Sequence, residues 1–354
     1  MVELRELLDL CIDRNASDLH LVVGKPPMLR QDGRLETIEE TPLSVEDTER
    51  ISESLLSKEQ RGAMEEKGQA EFSFSFKDIA RFRVSVYKER KGLGIALRLL
   101  PQRIMSFAEI GLPPSTADLL CKRQGLILVT GPTGVGKTTT LASMIDFINS
   151  NWVKHIITIE DPIEYYHPHK KSIITQRELN SDIPSFSEAV IASLRQDPDV
   201  IMIGEMRDLS TIEAALTCAE TGHLVLSTLH TVNASKTIDR IVDVFPTYRQ
   251  NQIRIQLSTV ILAVFSQRLI PRASGRGRIA GFEIMIATPS IRNLIRENQS
   301  YKINTDIQTG GKYGMCTLAS SLMNLYKRKL ISYEEVLANV PELKEEVGSE
   351  EERR

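Results

Sequence analysis

The stretch GLILVTGPTGVGKTT, residues 125–139, decides the fold. Its first six residues are apolar or uncharged and partly β-branched, the composition of a strand buried on both faces. From Gly131 the chain reads Gly-Pro-Thr-Gly-Val-Gly136-Lys137-Thr138, which matches the G-x-x-x-x-G-K-[ST] pattern of a phosphate-binding loop. That pattern carries chemistry only where a strand feeds a helix. Gly131, Gly134 and Gly136 let backbone N–H groups turn toward an anion, and a helix starting near Lys137 adds the positive end of its dipole. Thr133, Val135 and Thr139 complete the loop and first helical turn, Lys137 meets β- and γ-phosphate oxygens, and Thr138 is a Mg²⁺ ligand. ATP with Mg²⁺ is the expected occupant.

Working outward, apolar runs at residues 155–160, 199–204 and 223–228 alternate with helical patterns at 137–150, 186–196, 209–220 and 234–244. Such alternation predicts an α/β core with a parallel sheet. Residues from about 250 to 340 read as mostly helical. The first hundred residues have a different grammar. Leu4, Leu7, Leu8 and Ile12 mark an amphipathic helix, and short strand-like runs follow at 18–23 and at 28–35 around an Asp32-Gly33 turn. Phe72, Phe74 and Phe76 alternate with polar residues, as do Phe82, Val84 and Val86, and residues 94–100 offer a third strand. These features predict a smaller α+β domain with an antiparallel sheet. The expected organisation is an N-terminal domain at 1–100, a Pro- and Gly-bearing linker at 101–116, an α/β domain with C-terminal helices at 117–340, and a solvated acidic tail at 341–354.

Composition narrows the function. A chain of 354 residues has room for about two domains. With 44 basic against 47 acidic residues the net charge is -3, which gives no global attraction to nucleic-acid phosphates. Cys11, Cys121, Cys218 and Cys316 are too far apart for a Cys-x-x-Cys zinc or redox motif. No apolar run reaches the roughly 18 residues of a membrane span, so a cytoplasmic protein with no membrane insertion of its own is expected.

Several polar residues sit where strands should end. Glu205 closes the run from Asp199, the place of a Walker B carboxylate that holds magnesium and its water. Glu160, Asp161 and Glu164 follow another strand, and one of them should act as general base on the attacking water. Pro162 stiffens that turn and favours Glu164. His223 and His230 bracket one apolar strand, and His230, at its carboxyl end, suits a γ-phosphate sensor. Arg268, Arg272, Arg276 and Arg278 surround a Gly275-Gly277 turn without aromatic residues between them, the pattern of a solvated or subunit-facing hairpin and not of a base-stacking platform. Ile291, Leu294 and Ile295 share one helical face and leave Arg292, Arg296 and Glu297 off it, which predicts charge presented outward.

Together, GPTGVGKTT, ITIEDPIE, RQDPDVIMIGEMRD and TGHLVLSTLHT, in that order and spacing, resemble the Walker A, Asp, Walker B and His boxes of the type II/IV secretion ATPases. The N-terminal ASDLHL and ARFRVSVY and the segment SIRNLIRE, residues 290–297, resemble the retraction ATPases of type IV pili, although Ser290 stands where that branch more often has Ala. The resemblance spans residues 1 to about 340. It implies a homohexameric ring of chains, each with a PAS-like N-terminal domain and a RecA-like P-loop core. The ring would work with the pilus machinery beneath an inner-membrane platform protein, at the cytoplasmic face of that membrane. It further implies that Glu164 is the catalytic base, Glu205 the Walker B carboxylate, His223 and His230 the His-box residues, and Arg83 and Arg98 the arginines brought to the nucleotide's phosphates. Relatives that assemble pili or secrete proteins typically carry a further N-terminal domain and often a four-cysteine zinc module. The lack of both here points to retraction over pilus assembly, type II secretion or a nucleotide-dependent scaffold without hydrolysis.

Overall fold

The computed structural model describes residues 3–14, 16–31, 34–38, 40–77, 79–90, 92–100, 103–275 and 277–341. The Asp32-Gly33 turn, Arg276 and nearly all of the acidic tail lie outside these. The chain divides into two units: Met1–Arg103 with Pro162–Tyr166, and Ile104–Asp161 with His167–Arg354.

In the first unit α1 (Leu4–Asp13) leads into β1 (Asp18–Leu21), β2 (Met28–Gln31) and β3 (Arg34–Thr37). After α2 (Val45–Leu55) and α3 (Lys58–Lys67) come β4 (Gln69–Phe76), β5 (Ala80–Glu89) and β6 (Gly92–Leu99). Both helices start at a serine, Ser44 and Ser57, in a reciprocal capping box with Asp47 and Gln60, which satisfies otherwise orphaned N–H groups. The strands form one sheet in the order β3-β2-β1-β6-β5-β4, and every pairing is antiparallel. Period-two alternation sends Phe82, Val84 and Val86 of β5, Ile95 and Leu97 of β6 and Leu19 of β1 into a core with Leu7, Leu8 and Cys11 of α1. The residues between them fall on the other face. There Ser73, Arg83, Arg98, Asp18 and Arg30 stand opposite one another in a single row across five strands.

The second unit opens with two short helices, α4 (Phe107–Ile110) and α5 (Thr116–Leu120). Much of the expected linker is packed structure: Ile110 and Leu112 are buried against the sheet, because its apolar residues find a core to join, and Leu120 of α5 is buried with them. The seven strands are β7 (Gly125–Thr130), β8 (His155–Glu160), β9 (Ile173–Glu178), β10 (Val200–Ile203), β11 (Leu224–Leu229), β12 (Ile261–Pro271) and β13 (Arg278–Ile286). Their order is β13-β12-β7-β11-β10-β8-β9. All pair in parallel except the β12–β13 hairpin. The fold is therefore α/β with a mixed sheet. Three strands, β9, β12 and β13, went beyond the expected set, and the last two interrupt the stretch read as mostly helical, which is helical from Pro289 onward as expected.

One face of this sheet is covered by α6 (Lys137–Asn151), through Leu141, Met144, Ile145 and Ile148. The other is covered by α8 (Leu209–Glu220), α9 (Ala234–Asp243) and α10 (Thr247–Val260), with α7 (Phe186–Ser193) beside them. The remaining helices are α11 (Pro289–Arg296), α12 (Ile303–Thr309), α13 (Leu318–Lys327) and α14 (Tyr333–Asn339). No helix among the described residues is long and apolar enough to cross a membrane.

Thr288 caps α11, and Ile291 and Ile295 are buried as the periodicity predicts. Arg292 corrects the outward reading. Its guanidinium folds back to donate to the carbonyls of Ala287, Ser258 and Thr259, the latter two in the last turn of α10. A cation at carbonyls that lack helical partners is a favourable C-terminal cap. Arg292 is thus a fastener between α10 and α11.

Candidate functional site

The order β7-β11-β10-β8 brings the carboxyl ends of four strands side by side, and each is followed by one of the sequence motifs. Gly131 follows β7, His230 follows β11, Glu205 lies just beyond β10, and Glu160 ends β8. Ligands of open α/β sheets bind at this edge.

The phosphate-loop motif lies between β7 and α6, as its chemistry requires. Gly136 is the N-cap of α6 with φ 87°, a left-handed conformation that a β-carbon would strain. A β-carbon on Gly131 would approach the Gln267 carbonyl oxygen to 2.5 Å, so the loop lies directly against β12. Lys137 is buried, and its Nζ donates to the carbonyls of Gly131 at 2.8 Å and Pro132 at 3.0 Å. The ammonium is held across the mouth of the loop, near its own anion cradle. Thr138 and Thr139 are half-buried in the first turn of α6, whose leading N–H groups have no intrahelical partner.

Beside the loop, His230 links two motifs. Its Nε2 is 3.1 Å from Glu205 Oε1, and its Nδ1 is 3.4 Å from the Thr133 hydroxyl. In a neutral imidazole, Nε2–H donating to Glu205 leaves Nδ1 to accept from Thr133. Glu205 also accepts from Arg207 Nε at 2.9 Å. The chain Thr133–His230–Glu205–Arg207 therefore joins the phosphate loop to the Walker B position.

Other predicted residues go elsewhere. His223 precedes β11 at its amino end, with Nδ1 3.0 Å from the Cys218 carbonyl. Six strand residues, about 20 Å, separate it from the edge that holds His230. The two histidines thus stand at opposite ends of β11, as the sequence reading places them, and only His230 lies beside this chain's phosphate loop. Glu160 is buried and engaged, accepting from Thr158 Oγ1 at 2.6 Å and Gln176 Nε2 at 3.0 Å. Glu164 belongs to the segment Pro162–Tyr166, which groups with the first unit. It is half-buried between the buried Ile163 and Tyr165 and makes no hydrogen bond or ion pair among the described residues. Arg83 and Arg98 are direct cross-strand partners on the first unit's sheet. Arg98 donates from Nε to Asp18 Oδ1 at 2.8 Å. Burial opposes ionisation of Asp18, but the Ser17 hydroxyl and the Arg98 guanidinium outweigh it and hold the carboxyl below its ordinary range.

Gln267 escaped the sequence reading. This residue of β12 is buried, and its carboxamide donates to the Val135 carbonyl at 2.7 Å and accepts from Thr140 Oγ1 at 2.7 Å. One strand residue thus grips both the phosphate loop and the helix that follows it. The local signal was a polar Ser-Gln-Arg triplet inside an otherwise apolar run.

A glycine loop between a buried strand and a helix, a lysine at its mouth and a carboxylate beyond the end of a strand two places along the same sheet define a P-loop nucleotide-binding protein of α/β fold. The chain belongs to the type II/IV secretion system protein family, whose match covers residues 3–336. It is 46% identical over 343 residues to the type IV pilus retraction ATPase PilT of Pseudomonas aeruginosa, covering 96% of this chain and 99% of that protein. A twitching motility protein of Neisseria gonorrhoeae is 46% identical over 308 residues, 87% of this chain and 82% of that one. The crystal structure of the pilus retraction motor PilT with bound ADP superposes with a TM-score of 0.91 at 47% identity, covering 98% of this chain and 99% of that one. The resemblance read from the four boxes is borne out.

Proposed function

We propose that this chain is a motor that hydrolyses ATP to power type IV pilus retraction, acting on the cytoplasmic face of the inner membrane as a homohexamer with a platform protein of the pilus machinery. Near full-length likeness, in sequence and in fold, to retraction ATPases is the observation that carries this reading. In family terms the first unit is the PAS-like domain and the second the RecA-like core.

The residues present fit a Mg²⁺-nucleotide. The loop presents the first N–H groups of α6, and Lys137, whose ammonium donates to the Gly131 and Pro132 carbonyls, can transfer those donors to phosphate oxygens. Thr138 and Glu205 would hold Mg²⁺, which when bound spreads the phosphate charge and orders the surrounding oxygens. Gly131, Thr133, Gly134, Val135, Gly136 and Thr139 would enclose the phosphates. His230, bonded to both Thr133 and Glu205, reports at Glu205 any change in the loop's hydroxyl partner. Glu164 takes the water's proton as general base, and Arg83 and Arg98 supply positive charge for the transition state. His223, at the amino end of β11, is the second His-box residue and acts apart from this chain's own phosphate loop.

The test pairs chemistry with phenotype. Wild-type protein should release phosphate from ATP, Lys137→Ala should fail to bind nucleotide, and a deletion strain should carry surplus pili without twitching. A deletion strain with no pili would replace retraction by assembly, and absence of phosphate release would replace the motor by a scaffold.

A further inference from the structure

The phosphate loop is held from outside by a strand that the nucleotide motifs do not include. Gln267 sits on β12, and its side chain spans the loop's two flanks: Nε2 donates to the Val135 carbonyl and Oε1 accepts from Thr140 Oγ1. One residue earlier, Ser266 Oγ accepts from Thr130 Oγ1 at 3.0 Å, fixing the strand end that launches the loop. Gln267 also lies against the loop's glycines. A β-carbon on Gly136 would come within 3.1 Å of its Nε2, and one on Gly131 within 2.5 Å of its backbone oxygen.

These contacts orient a peptide. In a trans peptide the carbonyl and the following N–H point in opposite directions. A Val135 carbonyl pinned toward β12 therefore aims the Gly136 N–H away from β12, the direction left for an anion in the loop. Thr140, fully buried one turn into α6, sets the helix that contributes its N-terminal N–H groups. The carboxamide is chemically suited to this: it needs one donor and one acceptor in fixed places, and neither a carboxylate nor a hydrocarbon supplies both.

From this geometry we propose that Gln267 is a positioning residue for nucleotide binding: its side chain holds the phosphate loop and the start of α6 in the conformation that receives phosphates. The proposal rests on the reading of residues 131–139 as the phosphate site. Because the bridge acts on donors that meet the nucleotide both before and during hydrolysis, its loss falls on binding more than on turnover.

The experiment measures ADP and ATP affinity, kcat and KM for full-length wild type, Gln267→Ala, Gln267→Glu, Thr140→Val, the double variant Gln267→Ala/Thr140→Val, and Lys137→Ala. Melting temperature is recorded with and without ADP. Gln267→Ala should weaken ADP binding about tenfold or more, since a buried acceptor loses its donor, while kcat at saturation changes less than KM. Gln267→Glu, which keeps the size but cannot donate, should resemble it. The double variant should be no weaker than Gln267→Ala, because Thr140 acts through the same carboxamide. A ligand-free melting temperature near wild type with a reduced ADP-induced rise separates positioning from general destabilisation.

Unchanged ADP affinity in Gln267→Ala, an equal fall of kcat with unchanged KM, or multiplying effects of the two single variants would overturn the proposal. If Gln267→Ala lowers the ligand-free melting temperature and leaves affinity intact, Gln267 is a packing residue only. Normal binding by Lys137→Ala would overturn the phosphate-site reading and this proposal together. Loss in Lys137→Ala beside normal Gln267→Ala overturns this proposal alone.

Discussion

The two polar surfaces with the most chemistry are built in opposite ways. At the carboxyl edge of the second unit's sheet, polar groups engage one another: Lys137 with loop carbonyls, His230 with Thr133 and Glu205, Glu205 with Arg207, Gln267 with Val135 and Thr140. On the first unit's sheet, by contrast, three arginines stand in one cross-strand row with a single acid, Asp18, among them. Like charges directly opposite each other cost stability. The Arg83–Arg98 pair is therefore the costlier arrangement, and Asp18 relieves only its Arg98 side. A preformed binding site needs its parts held in place, whereas a surface that contributes charge to a reaction must keep some charge uncommitted.

The sharpest way to test this contrast is at the two arginines. Arg83 makes no ion pair or hydrogen bond among the described residues, while Arg98 is held by Asp18. If uncommitted charge is what matters, Arg83→Ala should lower turnover by about 10³-fold, the low end for an arginine that stabilises transferring phosphate. Arg98→Ala should cost less, and both should bind ADP like wild type. Steady-state ATPase rates with equilibrium ADP binding decide it, and equal small losses in both variants would break the contrast. Next in size is Glu205→Gln, expected to retain nucleotide and lose about 10²-fold in turnover, because an amide keeps the His230 contact but not the charge. Near wild-type rates there would shift the metal role away from β10.

How far each surface was legible follows from the range of its interactions. The phosphate loop is written in eight consecutive residues, and the adjacent placement of Glu205 and His230 follows once parallel strands are recognised. The fifteen-residue spacing of Arg83 and Arg98 gave neighbouring strands, but their direct opposition depends on hairpin register. Residues 261–271 were hidden because an apolar run buried on both faces has no period by which to tell strand from helix. Gln267 was invisible for a related reason: its partner Val135 lies 132 residues away, and neither residue type announces the pairing. Arg292 was misread because helical periodicity locates its backbone off the apolar face and says nothing of where a long side chain returns.

That last correction gives a smaller test of the same distinction between committed and uncommitted charge. Arg292→Ala leaves the final carbonyls of α10 without their cation and should destabilise the protein by about 1–3 kcal/mol. Arg296 is exposed and has no hydrogen bond or ion pair among the described residues, so Arg296→Ala should be near neutral for stability, within about 0.5 kcal/mol. Chemical denaturation of the two variants compares them directly, and equal midpoints would return Arg292 to the outward reading. With stability matched by growth at lower temperature, twitching lost in Arg296→Ala alone, with ATP hydrolysis intact, would show that this exposed charge passes the work of hydrolysis to the pilus machinery.

The smallest effect separates the two units by pH. His167, in the second unit, is almost fully buried, its Nδ1 has no hydrogen-bond partner among the described residues, and burial pushes its imidazole down to about 4 from an ordinary value near 6.5. Between those values the unfolded chain binds a proton that the folded chain refuses, so folding stability falls as pH drops below about 6.5 and the loss levels off below about 4. The slope approaches about 1.4 kcal/mol per pH unit for one such group. Asp18, in the first unit, has the opposite stake: its carboxylate is favoured in the fold, and its contribution is fully present above the ordinary carboxylate value of 3.8 and disappears only as pH falls through its lower folded value. Acid titration should therefore draw on the second unit through His167 from mildly acidic pH, with His20 of β1, also held below its ordinary value by burial, acting in the same direction in the first unit, while the Asp18 contribution is lost only below about 4. Hydrogen exchange read separately in β5–β6 and in β8–β10 from pH 7 to 4 measures this. His167→Phe should flatten the second unit's dependence, and Asp18→Asn should leave it untouched while lowering protection in β6 at neutral pH. Parallel loss in both units, unaltered by His167→Phe, would assign the acid response to groups other than these two.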